Sequence, residues 1–256
     1  MAGKDFDKIR EIREKQNERR RIEQAAEKRK KIFVQGGVIL AILVVVALVV
    51  VLINTMSANK EPQAVPENSA SVTVGDAVGV PLQVGGDSVT VGRPEAPVAI
   101  DIYEDYSCGH CAQYEAEVGS TLTEYIASGD VVVSYHPIRF VTNYGMNAGS
   151  AATCVATEDP GNWMMAHEAL FAAHSQESDG WKPKSFVKFL TEGGITDQAT
   201  LDCVASGKYT DWITANTEKA KADGVEATPS LRINGTVVPV GPKADLIDAI
   251  EAAKLG

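Results

Sequence analysis

Apolar and polar positions change rhythm several times along this 256-residue chain, and each rhythm predicts a different element. From Phe33 to Ile53 the only strongly polar residue is Gln35, and the apolar run is unbroken from Val38 to Ile53. As a helix rising about 1.5 Å per residue, this stretch covers roughly 30 Å, the thickness of a bilayer core. Asp5 to Lys31, rich in Glu, Lys, Arg and Gln, predicts a solvated helix before it. Met56 to about Gly86 carries Pro62, Pro66 and Pro81 among small polar residues and reads as a tether, with a short strand at Ser71 to Val74.

From Asp87 the pattern becomes regular. A short strand at Ser88 to Val91 and a turn at Gly92-Arg93-Pro94 precede an apolar strand from Val98 to Tyr103. That strand lacks alternation, which suits a strand covered on both faces. Tyr114, Val118, Leu122 and Ile126 then recur every four residues, Gly129 closes the helix, and Val131 to His136 is the next strand, making a βαβ unit with a parallel pair. Asn147 to about Gly207 turns helical, with segments near Ala148 to Thr157, Asn162 to Ala173, Lys184 to Leu190 and Asp197 to Ser206. A helix over Tyr209 to Ala222 follows. Leu231 to Ile233 and Thr236 to Val240 flank Asn234-Gly235, the strongest two-residue hairpin signal, and Ala244 to Lys254 closes the chain as an amphipathic helix. The division is a basic arm (1–32), a single transmembrane helix (33–54), a linker (55–86) and an α/β domain (87–256) with a helical insertion at about 147–207.

Charge sharpens this division. The formal net charge is -10, yet residues 1–31 hold twelve of the 24 Lys and Arg and seven of the 34 acids, so the arm is net +5 and the rest net -15. An acidic body argues against nucleic-acid binding. Lys28, Arg29, Lys30 and Lys31 abut the apolar run, whereas only Lys60 lies close beyond it. The positive-inside rule then places the N-terminus in the cytoplasm and everything after Thr55 outside it, as a single-pass protein of the cell membrane. A cleaved signal peptide is the rival reading, but the charged region and the apolar run are both long for one and Met56-Ser57-Ala58 is a poor cleavage site. A buried core helix is the other rival, and nothing polar marks the outward face it would need.

All four cysteines follow the apolar run. Cys108 and Cys111, in Cys108-Gly109-His110-Cys111, stand where the apolar strand stops and a helical pattern begins. Two cysteines so spaced can close a small disulfide, and the first meets the unpaired N–H groups and positive dipole end of the helix, which favour its thiolate. His110 can add charge or a hydrogen bond. A shift of Cys108 from about 8.5 to about 4.5 would favour the reduced form by roughly 3 to 3.5 kcal/mol at pH 7, about 70 mV of oxidising power. Cys154 and Cys203, forty-nine residues apart in separate predicted helices, are taken as a structural disulfide, with two buried free thiols or a second redox pair as alternatives.

A dithiol after the first strand of a βαβ unit, a helical insertion, Thr228-Pro229, a hairpin and a final helix together resemble the thioredoxin superfamily. Within it the chain looks like the exported DsbA-like thiol-disulfide oxidoreductases of bacteria, over about residues 87–256, with Arg93-Pro94-Glu95-Ala96-Pro97 before the strand as a further match. The resemblance implies a thioredoxin fold, a cis Pro229 that faces the dithiol and shapes the client groove together with Thr228, and Cys108 exposed to clients with Cys111 as its buried partner. Some relatives resemble the Cys154 and Cys203 arrangement too. It also implies an enzyme that introduces disulfides into unfolded exported clients and is reoxidised by a membrane-bound partner, without metal, flavin or nucleotide. The Gly-His dipeptide departs from the Pro-His of the best-known DsbA proteins and equals that of protein disulfide isomerases, so an isomerase or reductase using the same residues is an alternative; a zinc module built on all four cysteines is another.

Other residues carry weaker signals. His167 and His174, seven apart on a helix and so about 10 Å apart along it, are too distant to share one metal ion and read as solvated or capping. His136 reads as structural. Trp163, Met164 and Met165 suit either the core or a groove for unfolded clients. Glu104 and Asp105 suit either a proton acceptor for Cys111 or a solvent-facing turn.

Overall fold

In the computed structural model the described residues are 21, 44–49 and 63–255. The chain divides into two units, Met1–Pro62 and Gln63–Gly256. In the first, Arg21 and residues 44–49 are helical. Among the described residues no helix is long and apolar enough to cross a membrane. The basic arm and the span expected at 33–54 lie outside the described residues, apart from Arg21 and 44–49.

The second unit is built on a seven-stranded sheet with strand order β1-β2-β3-β5-β4-β6-β7. Its first two strands correct the expected linker at 55–86: β1 (Asn68–Val74) and β2 (Ala77–Gly85) form a hairpin that belongs to the folded body. Val72, Val74, Val80, Leu82 and Val84 are buried in the core, and each such side chain removed from water contributes roughly 1.5 to 3 kcal/mol. Gly79, at φ 80°, is the extra residue of a bulge where the register steps between Val72 and Thr73. Pro81 lies just past the last β2–β3 pair, Leu82 with Val91, and its carbonyl accepts from Gly92 N at 2.9 Å.

β3 (Ser88–Val91) pairs antiparallel with β2 and β5. β4 (Val98–Glu104), α1 (Gly109–Ser128) and β5 (Val131–Pro137) make the expected βαβ unit, with Val98 opposite Val131 in a parallel ladder. A Cβ on Gly92 would stand 2.8 Å from both Val131 O and Val132 Cα, so only glycine lets β3 end beside β5. β4 departs from its expected covering: Ala99 is exposed, and Asp101 is half-buried with its carboxylate 3.0 Å from His136 Nε2. Ile100 and Ile102 fill the main core.

The insertion contains α2 (Asn143–Glu158), a short 3-10 turn, α3 (Trp163–Ala172), α4 (Pro183–Glu192) and α5 (Gln198–Ser206). Small residues let α2 bury nearly its whole circumference; a Cβ on Gly149 would stand 3.0 Å from Ile213 Cδ1. Asn68 Nδ2 donates to the carbonyls of Ala156 and Thr157 at the end of α2, tying the first strand to the insertion. α6 (Thr210–Ala222) leads to β6 (Ser230–Ile233), β7 (Thr236–Val238) and α7 (Lys243–Lys254). Asn234 and Gly235 both have positive φ, as their two-residue turn requires. Asn234 also exchanges two 2.8 Å hydrogen bonds with Ala99, docking the hairpin on β4.

Candidate active site

The site forms where β4 ends. Glu104, Asp105, Tyr106 and Ser107 are all buried, so this segment is no solvent-facing turn. Asp105 holds it in place: one carboxyl oxygen accepts from Ser107 N (2.8 Å) and Ser107 Oγ (2.6 Å), the other from Phe140 N (2.6 Å) and Val141 N (2.9 Å). A Cβ at Gly145 would collide with this carboxyl group, so the start of α2 must be glycine there. The loop after β5 is thereby clamped to the approach to the dithiol.

Cys108 is the N-cap of α1, in an extended conformation without a side-chain cap. Its N–H is held by Asp105 O at 2.8 Å, and its Sγ donates to Thr228 O at 3.4 Å. The Thr228–Pro229 peptide is cis. The chain thus brings Cys108 and Thr228 together although they are 120 residues apart, because β6 pairs with β4 and sets the preceding loop opposite the helix start.

Cys108 is 7% exposed, not open to solvent, since the Thr228 loop covers it; Cys111 is 3% exposed, and both are free thiols. Their acidities diverge. Cys108 is pulled down to about 5, chiefly by a hydrogen bond from the Cys111 thiol, against the opposing effect of burial, and further by the Thr228 side chain and the backbone N–H groups of Cys111 and His110. Cys111 is driven up by the same hydrogen bond and by burial. His110 acts here through its main chain; its side chain is exposed and lines a groove of about 320 Å³ with Tyr114, Glu117, Pro229 and Pro242.

His167 also departs from expectation, being 1% exposed rather than solvated or capping. It lies in a buried cluster, with Tyr106 Oη 2.7 Å and Glu104 Oε1 3.5 Å from Nδ1, and Glu115 Oε2 3.6 Å from Nε2. Burial opposes the imidazolium, but Glu104 and Glu115 outweigh it and push His167 up to about 9. Burial pushes Glu104 up to about 8 against the pull of His167. Sequence reasoning missed this cluster because its members come from β4, α1 and α3. His174 is half-buried against Asp179 at 3.0 Å, and His136 stacks on Tyr103 and pairs with Asp101. Trp163 is core, while Met164 and Met165 line a separate groove.

Cys154 on α2 and Cys203 on α5 are joined as a disulfide with a Cα separation of 5.7 Å. That leaves two thiols, so a zinc module using all four cysteines cannot form. Among the described residues no group of three His, Cys, Asp or Glu side chains is placed to hold a metal ion.

A profile of the Thioredoxin family matches residues 85–252. The chain belongs to the thioredoxin family. Among similar proteins, this family member is 27% identical over 181 residues to the serine/threonine-protein kinase PknE of Mycobacterium tuberculosis, covering 67% of this chain and 31% of the kinase. The chain therefore spans under a third of that relative. It is 24% identical over 166 residues to Disulfide bond formation protein D of Bacillus subtilis, covering 64% and 74% of the two chains. The crystal structure of reduced DsbA from M. tuberculosis matches with a TM-score of 0.54 and 26% identity, over 66% of this chain and 92% of that one. The fold is thioredoxin-like, of the DsbA type.

Proposed function

We propose that this chain is a thiol-disulfide oxidoreductase that introduces disulfides into unfolded exported proteins through Cys108 and Cys111. The observation that carries the reading is the placement of two free thiols in the first turn of α1, with Cys108 against the Thr228 carbonyl, and their opposite pKa directions fit it. In the oxidised enzyme a client thiolate attacks Cys108 Sγ, and the Cys108–Cys111 bond breaks. Cys111 leaves and takes up a proton, as its raised pKa requires. A second client thiolate then attacks the client sulfur of the mixed disulfide, and Cys108 departs as a stable thiolate. The client loses two electrons and the dithiol gains them.

Stabilising the Cys108 thiolate stabilises the reduced form and makes the disulfide a stronger oxidant. Thr228 and Pro229 line the client groove, His110 contributes its N–H to Cys108, and the disulfide of Cys154 and Cys203 braces the insertion. The chain is anchored by 33–54, with the arm in the cytoplasm and the catalytic unit outside, where a membrane-bound partner reoxidises it. Support for the anchor is the apolar run and the basic residues before it. Protease added to intact cells should remove the catalytic unit and spare the arm; recovery of a mature protein beginning near Ala58 would overturn the anchor. Equilibration of the full chain with glutathione should give a potential above about -200 mV, whereas about -270 mV would replace the oxidase by a reductase.

A further inference from the structure

Helix α1 carries a groove on each flank. The flank away from Pro229 faces α3, where Met164 and Met165 line a groove of about 550 Å³ with Glu115, Glu124 and Glu168. No Lys or Arg contributes to its lining. Glu115 is shared with buried His167, but Glu124 and Glu168 are exposed and, among the described residues, make no ion pair. Gly119 keeps the floor open, since a Cβ there would run into the Glu115 carboxylate. Met165 is 40% exposed. Methionine is flexible and polarisable and adapts to varied apolar partners, and the acidic rim selects the charge such a partner carries.

We propose that this groove binds client polypeptide segments that combine Lys or Arg with apolar side chains. The proposal rests on the oxidoreductase reading and adds a second contact region to it. Along α1, Glu115 and Glu124 lie about 10 Å and about 24 Å from Cys108 at 1.5 Å per residue. An extended client advancing roughly 3.3 Å per residue meets the groove about three to seven residues from its reacting cysteine. Clients with a basic, apolar run at that spacing are therefore oxidised preferentially.

The test uses the full-length chain in detergent micelles and two labelled peptides without cysteine, one of alternating Lys and Leu and one of alternating Glu and Leu. The Lys peptide should bind about tenfold more tightly at low salt, and most of that preference should vanish once the Debye length falls to a few ångströms at about 1 M salt. Glu124→Lys with Glu168→Lys should abolish the preference while leaving glutathione exchange at Cys108 unchanged. Glu177→Lys with Glu192→Lys, which changes net charge equally away from the groove, should keep it. Equal binding of the two peptides, or an equal loss in both double variants, would overturn the groove. Retained peptide preference in a wild-type chain that fails to exchange with glutathione would support the groove and overturn the oxidoreductase reading instead.

Discussion

Cys108 and Cys203 are each 7% exposed, yet one is a free, acidic thiol and the other is locked in a disulfide. Cys108 caps α1, where its thiolate is favoured chiefly by a hydrogen bond from the Cys111 thiol, then by Thr228 and last by the N–H groups of Cys111 and His110 at the helix start. Cys154 and Cys203 sit inside α2 and α5, where the backbone is already satisfied, and their only polar recourse is each other. Exposure does not separate the two pairs. What separates them is what each sulfur meets: Cys108 meets the Cys111 thiol, Thr228 and the N–H groups at the start of α1, which together favour its thiolate, whereas Cys154 and Cys203 meet each other across two helices.

The largest effect should come from exchanging the pairs' roles. Cys108→Ser should lower glutathione exchange more than about a thousandfold, the scale of losing a nucleophile outright, with little change in melting temperature. Cys111→Ser should instead trap mixed disulfides through Cys108, visible on a non-reducing gel. The opposite profile is expected for Cys154→Ser with Cys203→Ser: about 4 kcal/mol less stability, from the unfolded-state freedom released by opening a loop closed at a separation of 49 residues. Denaturant unfolding would measure the loss. Full stability there, or inactivity below the unfolding transition, would collapse the distinction.

Next comes pH. Alkylation of the reduced enzyme at Cys108 should be flat from about pH 7 to pH 6, half-maximal at about 5, and about a hundredfold slower at pH 3 than at pH 7, since each unit below the pKa removes a factor of ten of thiolate. The stability that this group gives the reduced form runs the same way. Its folded pKa lies below the unfolded value near about 8.5, so the contribution is full above that pH, shrinks as pH falls and is gone below about 5. Disulfide-bonded Cys154 and Cys203 add no such slope. A midpoint near pH 8 would remove the asymmetry.

Asp105 tests whether the reactive pair is held from outside its own helix. Asp105→Asn replaces an acceptor of four hydrogen bonds by a group that also donates, and should cost about 2 to 3 kcal/mol. It should also shift the Cys108 alkylation midpoint, because the carboxylate positions the segment whose main-chain carbonyl, at Asp105, holds the Cys108 amide. Unchanged chemistry at reduced stability would limit Asp105 to bracing. The smallest effect is assigned to His110→Ala, which keeps the N–H that reaches Cys108 and removes an exposed ring; the midpoint should move by less than about half a pH unit. A larger rise would return the imidazole to the role expected from sequence.

Much was legible in the chain because the signals were local. A C-x-x-C at a strand end, hydrophobic residues every four positions and Asn234-Gly235 each specify their own backbone, so α1, β5 and the β6–β7 hairpin lie where expected. The strand expected at Ser71 to Val74 is the second half of β1, but its first half and all of β2 are hidden by Pro81 and the glycines of the stretch, which read as tether residues; the Gly-Asp pairs at 75–76 and 86–87 are hairpin signals that could have revealed them. The stretch from β1 to β2 becomes sheet because its valines find a core supplied by distant segments.

The reactive cysteines, their place at a helix start and the partition of charge along the chain were settled by the sequence itself, since each depends on neighbours within a few residues. Tertiary structure decided the rest: the covering of Cys108 by Thr228, the clamp of Asp105 on residues 140 and 141, and the burial of His167 between two glutamates. Each of these joins segments 35 or more residues apart. Hydrogen bonding and desolvation act over a few ångströms of space, and distance along a chain carries no record of them until the chain has packed.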